Sequence, residues 1–482
     1  MRTGDPSKGP NVSTEGRPSG FDVAGPRQLQ FDWDRPSGSE STGATVRQAT
    51  AATEGHAPAG TVVMEEVVRK ENLEKALKQM VANRGGPGID GMTVSELKGY
   101  LKAHWPEIRT QLLAGRYKPQ PVKAVDISKP GGGTRRLGIP TVLDRFIQQA
   151  LLQVMTPVYD PTFSPHSYGF RPGRNAHQAV RQARAYIKEG YDWVVDIDLE
   201  KFFDRVNHDI LMDRITRRVT DKRVLRLIRR YLQAGVMLNG VVQGRDEGTP
   251  QGGPLSPLLS NILLDELDKE LESRGHKFCR YADDANIYVK SERAGQRVMD
   301  SVERFLEKRL KLRINREKSA VAKPQKRSFL GFSFLGSEDW KIRLAPKTVK
   351  SVKYRIKKLT GRSRGIPLER MIQELSVYLR GWMTYFGLAE TLTVFRDLDS
   401  WIRRRLRCAV VKKWNKRCNA RYHGIRKLEV GDTEAKAFAL SRHGPWVMSN
   451  LKPVKVGMPN KFFAERGLFT LSGYEGTAVK SV

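Results

Sequence analysis

Residues 277–290, KFCRYADDANIYVK, hold two short apolar runs separated by a tight Ala-Asp-Asp turn. Apolar and β-branched residues on both sides of so short a turn predict an antiparallel β-hairpin that carries Asp283 and Asp284 at its tip. A second apolar run, WVVDIDL at 193–199, predicts a buried strand that ends near Asp198, about 85 residues upstream. Strand ends and tight turns hold carboxylates rigidly without burying them in apolar core, so these three acids are the candidates for chemistry.

Strands and helices alternate around this hairpin. The segment from Lys118 to Arg145 predicts another hairpin, with its turn at Pro130–Gly133. Apolar residues at helical spacing predict helices near 73–80, over 298–310 and over 372–386, and strands become rare after about residue 345. The sequence therefore predicts an α+β fold whose last third is mainly helical.

The bulk composition indicates a polyanionic partner. The 482-residue chain has a net charge of +33, from 85 Lys plus Arg against 52 Asp plus Glu. Each phosphate contact releases condensed counterions, so this excess favours nucleic acid over a merely soluble basic protein. Three cysteines without a C-x2-C pair argue against a disulfide framework or a zinc site. No apolar run approaches the roughly 18 residues of a membrane span, and no secretory signal is seen, so we expect no membrane partner and a cytoplasmic location.

Asp198, Asp283 and Asp284 support a metal-dependent chemistry. Two adjacent acids on a turn repel each other unless a cation neutralises them. Hard oxygen ligands suit Mg²⁺, with Mn²⁺ as a substitute, and two such ions about 4 Å apart activate a 3′ hydroxyl and stabilise a leaving pyrophosphate. A solvated turn is the alternative, since Asp-Asp pairs are common there. Asp196, deeper on the same side of its strand, and Asp204, in the following turn or helix, are weaker candidates.

Taken in order, several segments resemble the sequence blocks of a group II intron reverse transcriptase. The resemblance covers roughly residues 62–470 and depends on the order of the blocks more than on any one of them. The blocks are ISKP to LGIP (127–140), SYGFRPGR (167–174), DLEKFFD (198–204), GTPQGGPLSP (248–257), YADD (281–284), NREK (315–318), FLGF (329–332) and, in the thumb, GWMTYF (381–386).

The resemblance implies a right-hand polymerase of fingers, palm and thumb that copies RNA into DNA. It makes Asp198 and Asp283 the main ligands of two Mg²⁺ ions, with Asp284 as the third acid. Phe203 becomes the ring that stacks under the sugar and leaves no room for a 2′ hydroxyl, although a core position is the commoner place for a Phe. The other residues implied to bind the dNTP are Lys129, Arg135, Gln251 and Lys318, for which a solvated face or a plain turn is the alternative.

Basic residues near the C-terminus predict a nucleic-acid surface. The stretch from Trp401 to Arg417 holds eight Lys or Arg and no acid, interleaved with tryptophans. One-signed charge of this kind favours a helix lying on a phosphate backbone, and a solvated charged helix is the alternative. In the family this region binds intron RNA and target DNA. The predicted nucleic-acid-binding residues are Arg171, Arg174, Arg403, Arg404, Arg405, Arg407, Lys412 and Lys413.

The predicted domain division has four parts. Residues 1–60, rich in Gly, Pro, Ser and Thr, predict a disordered tail. Residues 61–345 are assigned to fingers and palm, 346–400 to the thumb or maturase region, and 401–482 to a basic C-terminal nucleic-acid-binding region. After Cys418 only His423 and His443 remain as nitrogen ligands, so we expect no zinc-dependent nuclease of the kind found in many relatives, as in the compact bacterial subgroup.

The expected function is RNA-directed DNA synthesis combined with binding of the protein's own group II intron RNA, as a maturase that supports mobility by target-primed reverse transcription. The expected partners are that RNA, an RNA template, a DNA primer or target DNA in the nucleoid, and dNTPs, and the sequence carries no signal for an oligomeric state. Two alternatives stay open. One is a reverse transcriptase from a retron, a diversity-generating element or a defence system, and the other is an RNA-binding splicing factor with an idle polymerase site.

Overall fold

The computed structural model describes residues 62–128, 134–238, 241–243, 247–249, 252–336, 339–414 and 417–474. Within these ranges strands and helices alternate as predicted, and the α+β class is confirmed. The same ranges contain no helix with the length and apolar character needed to cross a membrane. The predicted tail at 1–60 lies outside the described residues.

The elements fall into an N-terminal series, a central series and a helical C-terminal series. The first consists of α1 (Met64–Val67), α2 (Lys70–Asn83), α3 (Leu97–Leu113), β1 (Val122–Ser128), β2 (Thr134–Ile139), α4 (Val142–Tyr159), α5 (Ala176–Lys188), β3 (Trp193–Asp198), α6 (His208–Thr216), α7 (Lys222–Gln233), β4 (Val236–Leu238) and β5 (Val241–Gln243). The second consists of α8 (Ser256–Ser273), β6 (Lys277–Tyr281), β7 (Asp284–Val289), α9 (Glu292–Phe305), β8 (Ala320–Ala322), β9 (Phe332–Phe334) and β10 (Ile342–Leu344). The third consists of α10 (Pro346–Leu359), α11 (Leu368–Phe386), α12 (Leu392–Trp414), α13 (Cys418–Arg426), α14 (Asp432–Leu440), α15 (Pro445–Met448), α16 (Lys452–Gly457) and α17 (Asn460–Ala464).

The palm is a four-stranded antiparallel sheet in the order β6-β7-β3-β8. The predicted acidic hairpin is β6 and β7, and the predicted upstream strand β3 pairs directly with β7. Residues alternate between the two faces of β3, and both faces are covered by helices. Val195 and Ile197 belong to the core that includes α9, while Val194 shares a second core with α5, where the rings of Tyr186 and Tyr288 lie 5.7 Å apart.

The fingers contain the predicted hairpin of β1 and β2, which pair in antiparallel register from Lys123–Ile139 to Ser128–Thr134. β1 also pairs in parallel with β4, which extends this sheet to the order β2-β1-β4-β5. The turn between β1 and β2, at 129–133, lies outside the described residues. The hairpin therefore belongs to the β2-β1-β4-β5 sheet, which is separate from the palm sheet.

The thumb and the C-terminal helices share one core. α12 contains no Gly or Pro, and its buried residues Leu398, Ile402 and Leu406 recur at helical spacing, so the helix continues through residue 400. The predicted boundary between thumb and C-terminal region thus falls inside a helix. Asp399, on the same helix, accepts hydrogen bonds from the backbone N–H groups of Leu471 and Ser472, both at 2.9 Å. The end of the described chain is therefore attached to the thumb.

A buried ion pair joins α8 to the palm hairpin. Arg280 of β6 and Asp268 of α8 have side chains that are 1% and 0% exposed. All five N–H donors of Arg280 are used: two to Asp268 at 2.7 and 2.5 Å, and one each to Ser167 Oγ, Asn261 Oδ1 and the Ala282 carbonyl at 2.8–2.9 Å. The buried Arg280 guanidinium therefore holds the backbone of the acidic turn in place.

Replacing Asp268 with Ala removes the only carboxylate among the acceptors of this guanidinium and leaves a buried charge uncompensated. We expect Asp268→Ala to lower the free energy of unfolding by about 3–5 kcal/mol. The urea midpoint followed by circular dichroism measures this. Glu374→Ala, which breaks exposed pairs with Arg364 and Arg370, is the control and should leave the midpoint unchanged. Equal midpoints for the two variants would contradict the expectation.

Candidate active site

Asp198, Asp283 and Asp284 lie together at one end of the palm sheet. Asp198, the last residue of β3, is the cross-strand partner of Asp284, the first residue of β7. Directly opposed residues of an antiparallel pair have Cα atoms about 4.5–5.5 Å apart. Asp283 follows Ala282, which has φ +58°, in the two-residue turn between β6 and β7. The fold thus brings together acids that are about 85 residues apart in the chain.

The neighbouring carboxylates make Asp284 harder to ionise. Burial raises the pKa of Asp284 well above its ordinary value, and the carboxylates of Asp196, Asp283 and Asp198 raise it further. A bound cation relieves this repulsion, and oxygen donors of this kind fit a hard divalent ion. In the described ranges no three His, Cys, Asp or Glu side chains are placed to enclose an ion unaided. A divalent ion bound here would therefore need further oxygen ligands, such as substrate phosphates and water.

The two weaker candidates have different surroundings. Asp196 pairs with Arg327, whose Nε donates to Oδ2 at 2.8 Å. Burial raises the pKa of Asp196, while the Arg327 charge opposes that rise. Asp204 ends a short 3-10 turn, as predicted, and is exposed. Asp196 is thus occupied by Arg327, whereas Asp198 has a side chain that is 44% exposed and a longer contact, with Lys318.

Lys318, a predicted dNTP contact, lies beside the acids. Its Nζ is 3.4 Å from Asp198 Oδ1. The neighbouring Asn315 donates its N–H to the Asp198 carbonyl at 2.8 Å, and Asp198 N donates to Ser319 Oγ at 2.9 Å. These bonds attach the lysine's loop to the end of β3. The Lys318 ammonium group thus lies close enough to the acids to contact a phosphate bound beside them.

A cleft of about 490 Å³ opens in front of Asp283 and Asp284. Phe203 forms part of its wall, together with Phe170 on the segment before α5. The Phe203 ring is partly exposed and packs edge-on against Phe202, with centroids 5.1 Å apart. Phe203 therefore has both of the surroundings considered for it, since one side contacts the core and the other faces the cleft.

The glycines of the segment after β5 are required by close backbone approach. Gly248 has φ +90°, and a Cβ there would lie 2.9 Å from the Phe203 carbonyl oxygen. Gly252 has φ +137°, and a Cβ there would lie 2.8 Å from the Gly138 carbonyl oxygen of β2. These contacts join palm to fingers, and any larger residue would separate them.

Three of the predicted dNTP contacts have no described side chain. Lys129 and Gln251 lie outside the described residues, and the side chain of Arg135 is also outside them. Their roles stay predictions. The backbone of Arg135 pairs with Ile127 in the finger hairpin, so its position on β2 is known.

Contacts of Gly169, Asn261 and Arg280 behind the acidic turn were not predicted from the sequence. Gly169 packs so closely on the turn that a Cβ would overlap the backbone nitrogen of Ala282. Asn261 Nδ2 donates to the Gly169 carbonyl at 2.8 Å, and Arg280 donates to both Asn261 and Ala282. The signal in the sequence was an arginine next to the buried residues Phe278 and Cys279, because a buried charge requires partners.

The thumb also contacts one wall of the cleft. Tyr385 Oη, on α11, donates to the carbonyl of Leu330 at 3.0 Å. Leu330 lines the cleft, and with Gly331 it adopts positive φ values of 52° and 83°. Burial raises the pKa of Tyr385 to about 12, which keeps the hydroxyl protonated as a donor near neutral pH. The position of this wall therefore depends on α11.

The predicted nucleic-acid-binding residues divide into two groups. The Arg171 side chain is 6% exposed and donates to Asp160 and nearby carbonyls. Arg407 is buried and donates to the Met458 carbonyl. Their donors are used internally, so neither presents a free guanidinium to a phosphate. The exposed or half-buried members are Arg174, Arg403, Arg404, Arg405, Lys412 and Lys413.

Two family models match the chain in consecutive segments. Residues 127–334 match the reverse transcriptase (RNA-dependent DNA polymerase) model, and residues 349–428 match the group II intron maturase-specific domain. The first segment contains the acid cluster and the cleft, and the second contains α11 and α12. Fold and site together define a reverse transcriptase.

Similar proteins extend this result. Protein YkfC of Escherichia coli is 33% identical over 310 residues, which span 56% of this chain and 80% of YkfC. Group II intron-encoded protein LtrA of Lactococcus lactis is 29% identical over 215 residues, which span 44% of this chain but only 36% of LtrA. The chain belongs to the family of group II intron-encoded reverse transcriptases and maturases. A Cas6-RT-Cas1--Cas2 complex aligns at TM-score 0.34 and 26% identity, over 52% of this chain and 43% of that one, which is too weak to add to the fold described above.

Replacing Gly169 with Ala displaces the acidic turn, since the new methyl group overlaps the Ala282 backbone. A misplacement of about 1 Å at reacting groups costs roughly 100-fold in rate, and we expect a loss of that order in primer extension on an RNA template. Gly86→Ala, where a Cβ meets nothing within 4 Å, is the matched control and should retain full activity. Equal rates for the two variants would show that the turn tolerates displacement.

Proposed function

We propose that this protein synthesises DNA on an RNA template with two Mg²⁺ ions and that it grips its group II intron RNA as a maturase. The observation that carries the polymerase role is the pairing of Asp198 with Asp284, next to Asp283, at the mouth of a cleft walled by Phe203.

Asp198 and Asp283 would hold the metal ions, with Asp284 as the third carboxylate, and Mn²⁺ suits the same oxygen donors. Such ions, when bound, activate the 3′ hydroxyl and neutralise charge on the leaving pyrophosphate. Side chains of the protein contact the phosphates and select the sugar. Lys318 presents an ammonium group to the phosphates from its place 3.4 Å from Asp198. Phe203 occupies the space beneath the sugar and excludes a 2′ hydroxyl, which selects dNTP over NTP.

Intron RNA, an RNA template, a DNA primer or target strand, and dNTPs are the partners in this proposal. Exposed cations on α10 and α12 support a phosphate-binding role for the thumb and the region after it. In splicing, the protein would supply charge and shape that stabilise the folded RNA, and DNA synthesis from a target primer would support mobility. We place the palm–thumb boundary at 345/346, where α10 begins, and move the end of the thumb beyond α12.

Asp283→Asn removes a metal ligand while keeping the shape of the turn, so we expect it to abolish primer extension. RNA affinity should stay within a few fold, because the basic surface is unchanged. Extension of a DNA primer on an RNA template and filter binding of structured intron RNA measure the two properties. Asp209→Asn, an exposed acid on α6, is the control and should retain both.

An alternative outcome would identify a splicing factor with an idle polymerase site. That outcome is equal inactivity of the wild type and Asp283→Asn on several templates, while RNA-dependent splicing persists. Loss of RNA affinity along with extension in Asp283→Asn would contradict the separation between the acid cluster and the RNA-binding surface.

Phe203→Val opens space under the sugar, since Phe203 lines the cleft beside Asp283 and Asp284. We expect ribonucleotide incorporation to rise by about 10-fold or more relative to deoxyribonucleotide incorporation, the change that roughly 1.4 kcal/mol of differential transition-state energy produces. Steady-state kcat/KM for dNTP and NTP measures the ratio. An unchanged ratio would remove Phe203 from the role of sugar gate.

A further inference from the structure

A second cavity, of about 320 Å³, lies between α10, α12 and α15 and is separate from the acid cluster. We call it the stacking pocket. Its volume is near the lower end of the range for small-molecule pockets, so it fits a single nucleotide. The pocket contains two indole rings and three cations but no carboxylate. Its lining residues are Lys357, Arg362, Trp401, Arg405, Cys408 and Trp446.

The cations of the stacking pocket have no acidic partner among the described residues. Arg362 contacts the Cys408 sulfur at 3.8 Å, a weak hydrogen bond. Arg405 donates to Thr360 Oγ1 at 2.6 Å, which fixes its guanidinium in place, and burial together with the Arg362 charge lowers its pKa. Clustered like charges repel one another, so the pocket favours an anion.

Trp446 provides an open aromatic surface next to these charges. It is 36% exposed, and Arg404 lies 4.1 Å from its ring centroid. Trp446 lines the pocket and Arg404 does not, so part of the indole faces the cavity. Trp401 is already covered by Arg405, at 5.3 Å from its centroid. Trp446 is thus the ring on which a planar base can stack.

A path of exposed lysines leads to the pocket along α10. Lys347, Lys350, Lys353 and Lys357 are exposed and recur every three or four residues, which places them on one side of the helix. α10 contains no acid. A phosphate backbone lying along this side would reach the stacking pocket at Lys357.

We propose that the stacking pocket captures one unpaired nucleotide of a bound RNA strand, with its base on Trp446 and its phosphate on Arg362 and Lys357. The strand is RNA because every lining residue except Trp446 lies within 349–428, the segment that matches the maturase-specific domain. The inference rests on the proposed RNA-binding function and names the chemistry of one contact within it. The nucleotide is unpaired because a base in a duplex does not expose its face.

Binding of a uridine 12-mer and of a 12-base-pair RNA duplex to the full chain tests the proposal. Loss of a stacked base costs about 1–3 kcal/mol, so Trp446→Ala should weaken binding of the single strand about 5- to 150-fold and leave duplex binding within about 2-fold. Val447→Ala is the matched control, because Val447 is the next residue of α15, is 46% exposed and does not line the pocket.

Arg362→Gln provides a second variant, at an exposed position. It should make the slope of log K against log salt shallower by about 0.7 for the single strand, since one phosphate contact is lost. Trp446→Ala should leave that slope unchanged, because stacking releases no counterion. Arg370→Gln, an exposed cation outside the pocket, is the control for charge alone.

Equal single-strand affinity for Trp446→Ala and Val447→Ala, with the same salt slope for both arginine variants, would overturn the proposal. Tighter binding of a thymidine deoxy-12-mer, with the same loss in Trp446→Ala, would assign the pocket to DNA and overturn the RNA assignment. Primer extension separates this inference from the proposed polymerase. A wild type that binds RNA in this way without extending a primer contradicts the polymerase alone.

Discussion

A charged side chain inside the palm core sets the position of the acidic turn. Burying the pair of Arg280 and Asp268 costs hydration energy on both sides, and this cost is offset only when every donor is satisfied, as the five N–H groups of Arg280 are. The gain is geometric. One guanidinium bonds to the turn at Ala282, to α8 and to the segment before α5, so these three elements meet at the acidic end of the palm sheet in a single arrangement.

Elements with a strong local period could be predicted from the sequence. The acidic hairpin, strand β3 and α11 all follow from apolar residues at spacings of two or of three to four. Contacts between distant segments could not be predicted, because Gly169 and Asn261 carry no local sign that they touch Ala282. The predicted domain boundary at residue 400 falls inside α12 for a related reason, since the change in charge along the helix coincides with no helix-breaking residue. The positions of the three acids could be predicted, because carboxylates that stay outside the apolar core are commonly held at strand ends and tight turns.

The arginines and lysines that make up the basic excess lie in different environments, which composition alone does not reveal. Arg171, Arg280 and Arg407 use planar, multidentate donors to join segments inside the fold, a use to which guanidinium is suited. The lysines of α10 instead lie exposed along one side of a helix. The net charge of +33 therefore overstates the positive charge exposed at the surface, because part of it is used inside the fold.

The return of the chain onto α12 limits how the protein can be divided or recombined. Asp399 receives three hydrogen bonds from Leu471 and Ser472, and Ser376 on α11 bonds to the backbone of Gly467 and Phe469. Thumb and C-terminal helices are consequently tied to each other, and they also share their core with α5 and with strands of the palm. A chimaera joined near residue 400 would leave a buried carboxylate in one parent without its donors, and one joined before α10 would have to match the palm side of the shared core.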